Sequence, residues 1–124
     1  MPAIDLPFSE RMQRAILNGH KCCTTRLSKK CEPGDWFHLG GETFRILDIR
    51  PAPLYSTRDT LFRLEGCTSP DDFELLWRSL HEGSFPALRV CWVHFFVRFP
   101  IPDEILEADR EAAALAREDQ EVDA

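Results

Sequence analysis

The run Val90-Cys91-Trp92-Val93-His94-Phe95-Phe96-Val97 constrains the fold more than any other stretch of this chain. Successive side chains of a strand point to opposite faces, and here both faces are apolar. A strand of that kind belongs in the middle of a sheet. The sequence therefore predicts a central strand over residues 87–99, the longest in the chain. Further strands are expected at 36–39 and 43–50, joined through Gly40-Gly41, a pair that permits a tight hairpin. Pro51 and Pro53 cannot donate to a ladder, so the ribbon is expected to end there. Leu61 and Arg63 alternate with Phe62 and Leu64, so residues 57–64 read as a short strand.

Two helices carry clear start and stop signals. Over 8–18, Ser9 can cap, Phe8, Met12, Ala15 and Ile16 form an apolar stripe, and Gly19 supplies a left-handed stop. The second begins at Ser69, with Pro70 at the first helical position and Asp71 and Asp72 opposing the dipole of the first turn. Phe73, Leu76, Trp77 and Leu80 follow at core spacing, and Gly83 ends it. Strands and helices do not alternate strictly. That order predicts an α+β domain with a mostly antiparallel, partly closed sheet rather than a doubly wound one.

At 124 residues and 14.3 kDa the chain has room for one domain, and 44% hydrophobic with 29% charged residues is an ordinary globular balance. No apolar run approaches the roughly 20 residues of a membrane helix, and the first ten residues lack the features of a signal peptide. Cys22, Cys23, Cys31, Cys67 and Cys91 make an odd set with no C-x-x-C spacing. Reduced thiols in a cytoplasmic protein are expected, and no metal or organic cofactor is signalled.

The net charge of −6 is unevenly placed. Residues 103–124 hold nine acids and two arginines, whereas 1–102 hold 13 basic and 12 acidic side chains. Pro100 and Pro102 mark the boundary between a near-neutral domain and an acidic tail. In the tail Ile101, Ile105, Ala108, Ala112 and Leu115 recur at helical spacing, which predicts a helix that docks in cis or on a protein partner. No acid lies between Glu10 and Glu32, while Arg11, Arg14, Lys21, Arg26, Lys29 and Lys30 fall there. That basic segment is the feature that suits nucleic acid.

Within it, Gly19-His20-Lys21-Cys22-Cys23-Thr24-Thr25-Arg26 follows a helix stop and offers donors of three kinds. A strand starting near Cys23 would point Thr24 and Arg26 to one side. Lys21 can join them only if the chain turns between Gly19 and Cys22, or if its stem bends back. A solvated basic loop is the bland alternative. Trp77 and Trp92 fall on core positions, which leaves Trp36, beside Gly34-Asp35, as the tryptophan open to a pocket. His94 reads as a satisfied core histidine, and Cys22 and Cys23 as small packing residues.

Gly19-x-Lys21-x-x-Thr24-x-Arg26 resembles the signature of the ASCH domain family, a branch of the PUA-like superfamily. Gly34-Asp35 followed by Phe44-x-Ile46 is similar to that family's next block. Leu64-Glu65-Gly66, then a Ser-Pro-Asp helix start with Phe73 and Trp77, resembles its third. The three blocks span most of the chain but not the acidic tail. The resemblance implies a PUA-like fold: a small, mostly antiparallel β-barrel flanked by helices, with a cleft at the Gly-x-Lys loop. Family members have been associated with RNA, and small bacterial ones act as N4-acetylcytidine amidohydrolases. Lys21, Thr24 and Glu65 then stand where the family's catalytic residues stand. Gly19, His20, Arg26 and Trp36 are expected at the substrate.

Amide cleavage needs a nucleophile, an acceptor for its proton and a donor to the oxyanion, and these residue types supply all three. The expected activity is removal of an acyl group from the exocyclic amine of a modified pyrimidine nucleoside, free or within RNA. The alternative is an RNA- or nucleotide-binding module that keeps the cleft without the chemistry. A ribonuclease is a minor variant that lacks the histidine pair its chemistry would use.

Overall fold

The structure is a computed structural model that describes residues 3–99, with 111–112 and 114–115 of the C-terminal segment. Those last four are helical and exposed. The expected domain edge at Pro100 and Pro102, and the docking of the acidic helix, lie outside the described residues. Among the described residues no helix is long and apolar enough to cross a membrane.

The element order is α1 (Glu10–Leu17), β1 (Cys23–Arg26), β2 (Trp36–Leu39), β3 (Glu42–Pro53), α2 (Leu54–Thr60), α3 (Pro70–Leu80) and β4 (Val90–Arg98). This is an α+β arrangement around one curled antiparallel sheet, ordered β1-β4-β3-β2. β4 is interior, as its two apolar faces require. Cys91, Val93, His94 and Phe96 are all buried in it. β2 and β3 form the expected hairpin, with Gly40 at φ 57° and Gly41 at φ 78°, the left-handed pair that a two-residue turn between twisted strands needs.

Three expectations are corrected. β3, at 12 residues, is longer than β4 at 9. It runs on through Pro51 and Pro53, which pair with Trp92 and Val90. The prolines are tolerated because β2 and the preceding Gly34-Asp35 bond β3 only as far as Ile46, so among the described residues β3 beyond that point has a free edge. The Leu54 N–H donates to Arg89 O at 2.9 Å, which puts the even residues on the bonded side and the nitrogens of Pro51 and Pro53 on the free one. Residues 57–64 are not a strand. Leu54–Thr60 is a helix, with Leu54 and Thr57 buried three apart, and Leu61 and Glu65 continue it as turns bonded to Thr57 O and Leu61 O. The alternation read as a strand belongs to the turn.

Both predicted helices form. Ser9 Oγ accepts from Met12 N–H in α1, and Ser69 Oγ from Asp72 N–H in α3. The core falls into two clusters. Ile16 of α1 packs with Phe37, Phe44, Ile46, Ile49 and Phe96 of the sheet. There Phe37 stacks on Phe44 at 5.2 Å and meets Phe96 edge-on at 5.3 Å. Each ring so buried contributes roughly 1.5–3 kcal/mol. Leu54, Cys67, Phe73, Trp77 and Cys91 form the second cluster under α2 and α3. The Arg11–Asp72 ion pair, 2.7 Å, ties α1 to α3.

Candidate active site

Among the described residues, a group of buried polar side chains beside β1 comes from the Gly-x-Lys segment and from Glu65, 44 positions after Lys21. Gly19, at φ 80°, turns the chain off α1, and the N–H groups of His20 and Lys21 both bond Ala15 O. Leu64 O then accepts from Cys22 and Cys23, and Lys21 bridges Glu65 across this short antiparallel contact. Gly66 makes the approach possible. A Cβ on it would stand 3.0 Å from Ala15 Cβ and 3.1 Å from Lys21 Cβ, at a φ of 85°.

Two rows of side chains follow from the strand alternation. Lys21 and Thr25 converge on Glu65. Lys21 Nζ donates to Oε2 at 2.9 Å and to the backbone carbonyl at 3.1 Å, and Thr25 Oγ1 donates to Oε1 at 2.8 Å. Lys21 is 4% exposed and Glu65 3%, so this is a buried ion pair with both carboxylate oxygens satisfied. A lysine ammonium has three N–H donors, and one remains after these two bonds.

Thr24 and Arg26 form the other row. Arg26 Nε donates to Thr24 Oγ1 at 3.1 Å, Nη2 donates to Pro7 O at 2.7 Å, and the guanidinium lies over the Phe8 ring at 5.0 Å. Burial pulls the Arg26 guanidinium below its ordinary pKa, and the Glu65 charge opposes that pull. A hydroxyl both accepts and donates, so Thr24, accepting from Arg26, still has its own proton to give.

Both rows open on one cleft of about 350 Å³. Lys21, Thr24, Thr25, Arg26 and Glu65 supply its polar side; Phe8 and Met12 line it from around α1, and Phe73, Leu76 and Trp77 from α3. The structure therefore brings Lys21, Thr24, Glu65 and Arg26 together. It does not bring in Gly19, His20 or Trp36. Gly19 acts through its turn, and His20 is exposed outside the cleft. Trp36 is on β2, at the opposite sheet edge from β1, where its carbonyl accepts from Ile4 N–H at 2.8 Å and its ring meets His38. Trp77, expected as core, is both core and cleft wall.

Thr25, Lys30 and His81 also line the cleft and were missed by the sequence reading. Thr25 was legible in principle, since it has the same strand parity as Lys21. His94 is fully buried. Its Nε2 accepts from Lys30 N–H at 3.0 Å, and its Nδ1 faces Trp92 O at 3.0 Å and Thr24 O at 3.3 Å. Carbonyls only accept, so Nδ1 carries the proton and the ring is neutral. Burial pushes the thiols of Cys22 and Cys23 up, with the Glu65 charge adding and the Lys21 charge opposing, which keeps both protonated and poorly nucleophilic.

Comparison with protein-family models, curated proteins and solved structures finds no match to this chain.

The charges of the basic segment are mostly spent internally. Arg11 pairs with Asp72, Arg14 with Glu10, Lys21 with Glu65 and Lys29 with Glu32. A phosphate-tracking surface needs cations free to meet the backbone of a nucleic acid. Of the six, four already have carboxylates, so what the site offers is local: a hydroxyl, two differently held cations and a carboxylate beside an apolar wall.

Proposed function

We propose that this chain is an amidohydrolase of the ASCH type, with a PUA-like fold, which removes an acyl group from the exocyclic amine of a modified pyrimidine nucleoside. The observation that carries the reading is the buried Lys21–Glu65 pair opening on the same cleft as Thr24 and Arg26. A fully buried ion pair is weak as a stabilising device, because desolvation offsets much of its attraction. Its position on a cleft wall gives it a chemical use instead.

In the proposed reaction the base and its acyl group lie between the polar side and the α3 wall. Thr24 Oγ1 attacks the acyl carbonyl carbon, and its proton passes to the Glu65 carboxylate, the member of the pair with a lone pair to take it. Arg26 Nε, already bonded to that oxygen, favours its anionic character, and the remaining Lys21 N–H meets the carbonyl oxyanion. The C–N bond then breaks as the exocyclic nitrogen takes the proton back from the pair, which releases the free amine. Water attacks the acyl-threonine ester, giving the carboxylic acid and regenerating Thr24.

The experiment is incubation with N4-acetylcytidine, following loss of the acetyl chromophore. Turnover by the wild type and none by Lys21→Ala, Thr24→Ala or Glu65→Gln is expected. An inert wild type, or full turnover by Lys21→Ala, overturns the reading.

A further inference from the structure

The cleft does not end at α3. A second hollow of about 370 Å³ shares Leu27, Trp77, Leu80 and His81 with it, so the two form one groove bent around the end of α3. His81 stands at the junction. Its ring stacks on Trp77 with centroids 4.0 Å apart and planes within 20°, which fixes it as a flat, half-exposed surface between the lobes. A catalytic cleft built for a nucleoside alone has no need of this extension.

The charges around the junction are predominantly positive. Arg89 lines the second lobe, and Arg26 and Lys30 line the first. Among the described residues, neither Arg89 nor Lys30 is in an ion pair. Glu82 is the acid of the second lobe and lies exposed, with Ser84 as a neutral neighbour. Burial, with Arg26 and Arg89 both facing it, holds His81 below the ordinary imidazole range, so the junction already resists a further positive charge. Such a place is relieved by an anion.

We infer that the second lobe is a phosphate subsite, with Arg89 as its anchor and His81 at the junction as a further donor, while Lys30 adds positive charge from the first lobe, so that the preferred substrate carries a phosphate on its sugar. The inference rests on the proposed function for the base in the first lobe; the phosphate contact stands on the second lobe itself. Base and sugar pass over the His81 ring, and the phosphate reaches Arg89. Two chemical settings supply such a phosphate, a free nucleoside monophosphate or a phosphodiester at a strand end, and both present the same oxygens to Arg89.

The test is calorimetric titration of the full chain with cytidine, cytidine 5′-monophosphate and a cytidylate hexamer, alongside hydrolysis of N4-acetylcytidine and its 5′-monophosphate. The monophosphate is expected to bind about tenfold or more tightly than the nucleoside, the gain of one charge-assisted contact. Arg89→Gln, an exposed position, should remove that advantage while leaving cytidine affinity unchanged, and Lys30→Gln should reduce it. Hexamer binding tighter than the monophosphate assigns the strand as source; weaker binding assigns the free nucleotide. Equal affinity for cytidine and its monophosphate, or an advantage that survives the Arg89→Gln/Lys30→Gln double variant, overturns the subsite. Phosphate-dependent binding without hydrolysis of either acylated compound overturns the amidohydrolase reading and leaves the subsite standing.

Discussion

Thr24 and Thr25 are neighbours in the same short strand, both buried and both facing the cleft, yet their hydroxyls do opposite things. Thr25 donates to Glu65 at 2.8 Å, so its proton is committed to the carboxylate that also holds Lys21. Thr24 accepts from Arg26 at 3.1 Å, so its oxygen is polarised while its proton stays free. The first arrangement completes a buried polar cluster, and the second leaves the hydroxyl that the proposed reaction uses as its nucleophile. Adjacent, chemically identical side chains thus divide structure from chemistry, because strand alternation turns them toward different partners.

The largest effect should come from the carboxylate that defines this division. Glu65→Ala leaves the Lys21 charge and the Thr25 hydroxyl buried without their partner, and breaking such a pair costs about 3–5 kcal/mol. Urea denaturation should show the midpoint falling steeply, with turnover lost as well. A Lys21→Met/Glu65→Leu double variant should regain much of the stability and none of the activity. If the double variant is no more stable than Glu65→Ala, the pair is not the electrostatic unit that its geometry indicates.

The threonines themselves give a crossed pattern. Thr24→Ala should lower kcat by more than about 10³-fold, as loss of a nucleophile does, while costing about 0.5–1.5 kcal/mol of stability. Thr25→Val removes a hydrogen bond to a charged acceptor and should cost about 1.5–3 kcal/mol, with turnover reduced rather than abolished. Measuring both quantities on both variants decides the assignment. The reverse pattern would make Thr25, with Glu65 as its base, the nucleophile.

How far the sequence revealed this arrangement depends on the range of the contact. Local rules were legible. Ser9 and Ser69 cap their helices, Gly40-Gly41 turns the hairpin, and the doubly apolar run is the interior strand. The stop at Gly19 was also foreseen, but Lys21 does not cross to the side of Thr24 and Arg26; it joins Thr25 on Glu65. Contacts set by distant chain were not legible. That Glu65 lies against the Lys21 row rather than the Thr24 row follows from Leu64 O meeting Cys22 and Cys23, a bridge no spacing rule gives. Trp36 fails as a pocket residue for the same reason, since its place in the sheet order puts it at the far edge. Residues 57–64 were misread because four alternating side chains in a turn carry the same pattern as a strand.

Arg26 offers a smaller test on the Thr24 side. Arg26→Lys keeps the charge but loses the fork that joins Thr24 Oγ1 to Pro7 O. A kcat loss of about 10²-fold is expected, the scale of one donor at a developing oxyanion. An unchanged kcat with a raised KM would move Arg26 from the reacting oxygen to substrate binding.

The smallest expected effect is a pH dependence that reaches Thr24 from behind. His94 is opposite Thr24 in the sheet, and its neutral ring holds both the Thr24 carbonyl and the Lys30 N–H. Burial depresses its pKa, and the Arg26 charge adds to that, whereas bonds to Thr24 O and Trp92 O and the Glu65 charge oppose it. A depressed native value means that the unfolded chain takes up a proton first as pH falls below the ordinary value of 6.5. The His94 contribution is therefore complete above that pH and declines below it toward the depressed value. Asp72, whose carboxyl is pulled down chiefly by the Thr68 N–H and also by Arg11, has the same sign in a lower window, with its stabilisation lost only below about 3.8. Stability measured from pH 7 to 5 should fall in the wild type and fall less steeply in His94→Asn, whereas Asp72→Asn should leave that limb unchanged. The slope remaining in His94→Asn belongs to His81, whose imidazole is also held below 6.5. A wild-type profile flat from 7 to 5 would mean that the ring can take a proton without giving up Lys30, and the rear of the Thr24 row would then be looser than its hydrogen bonds indicate.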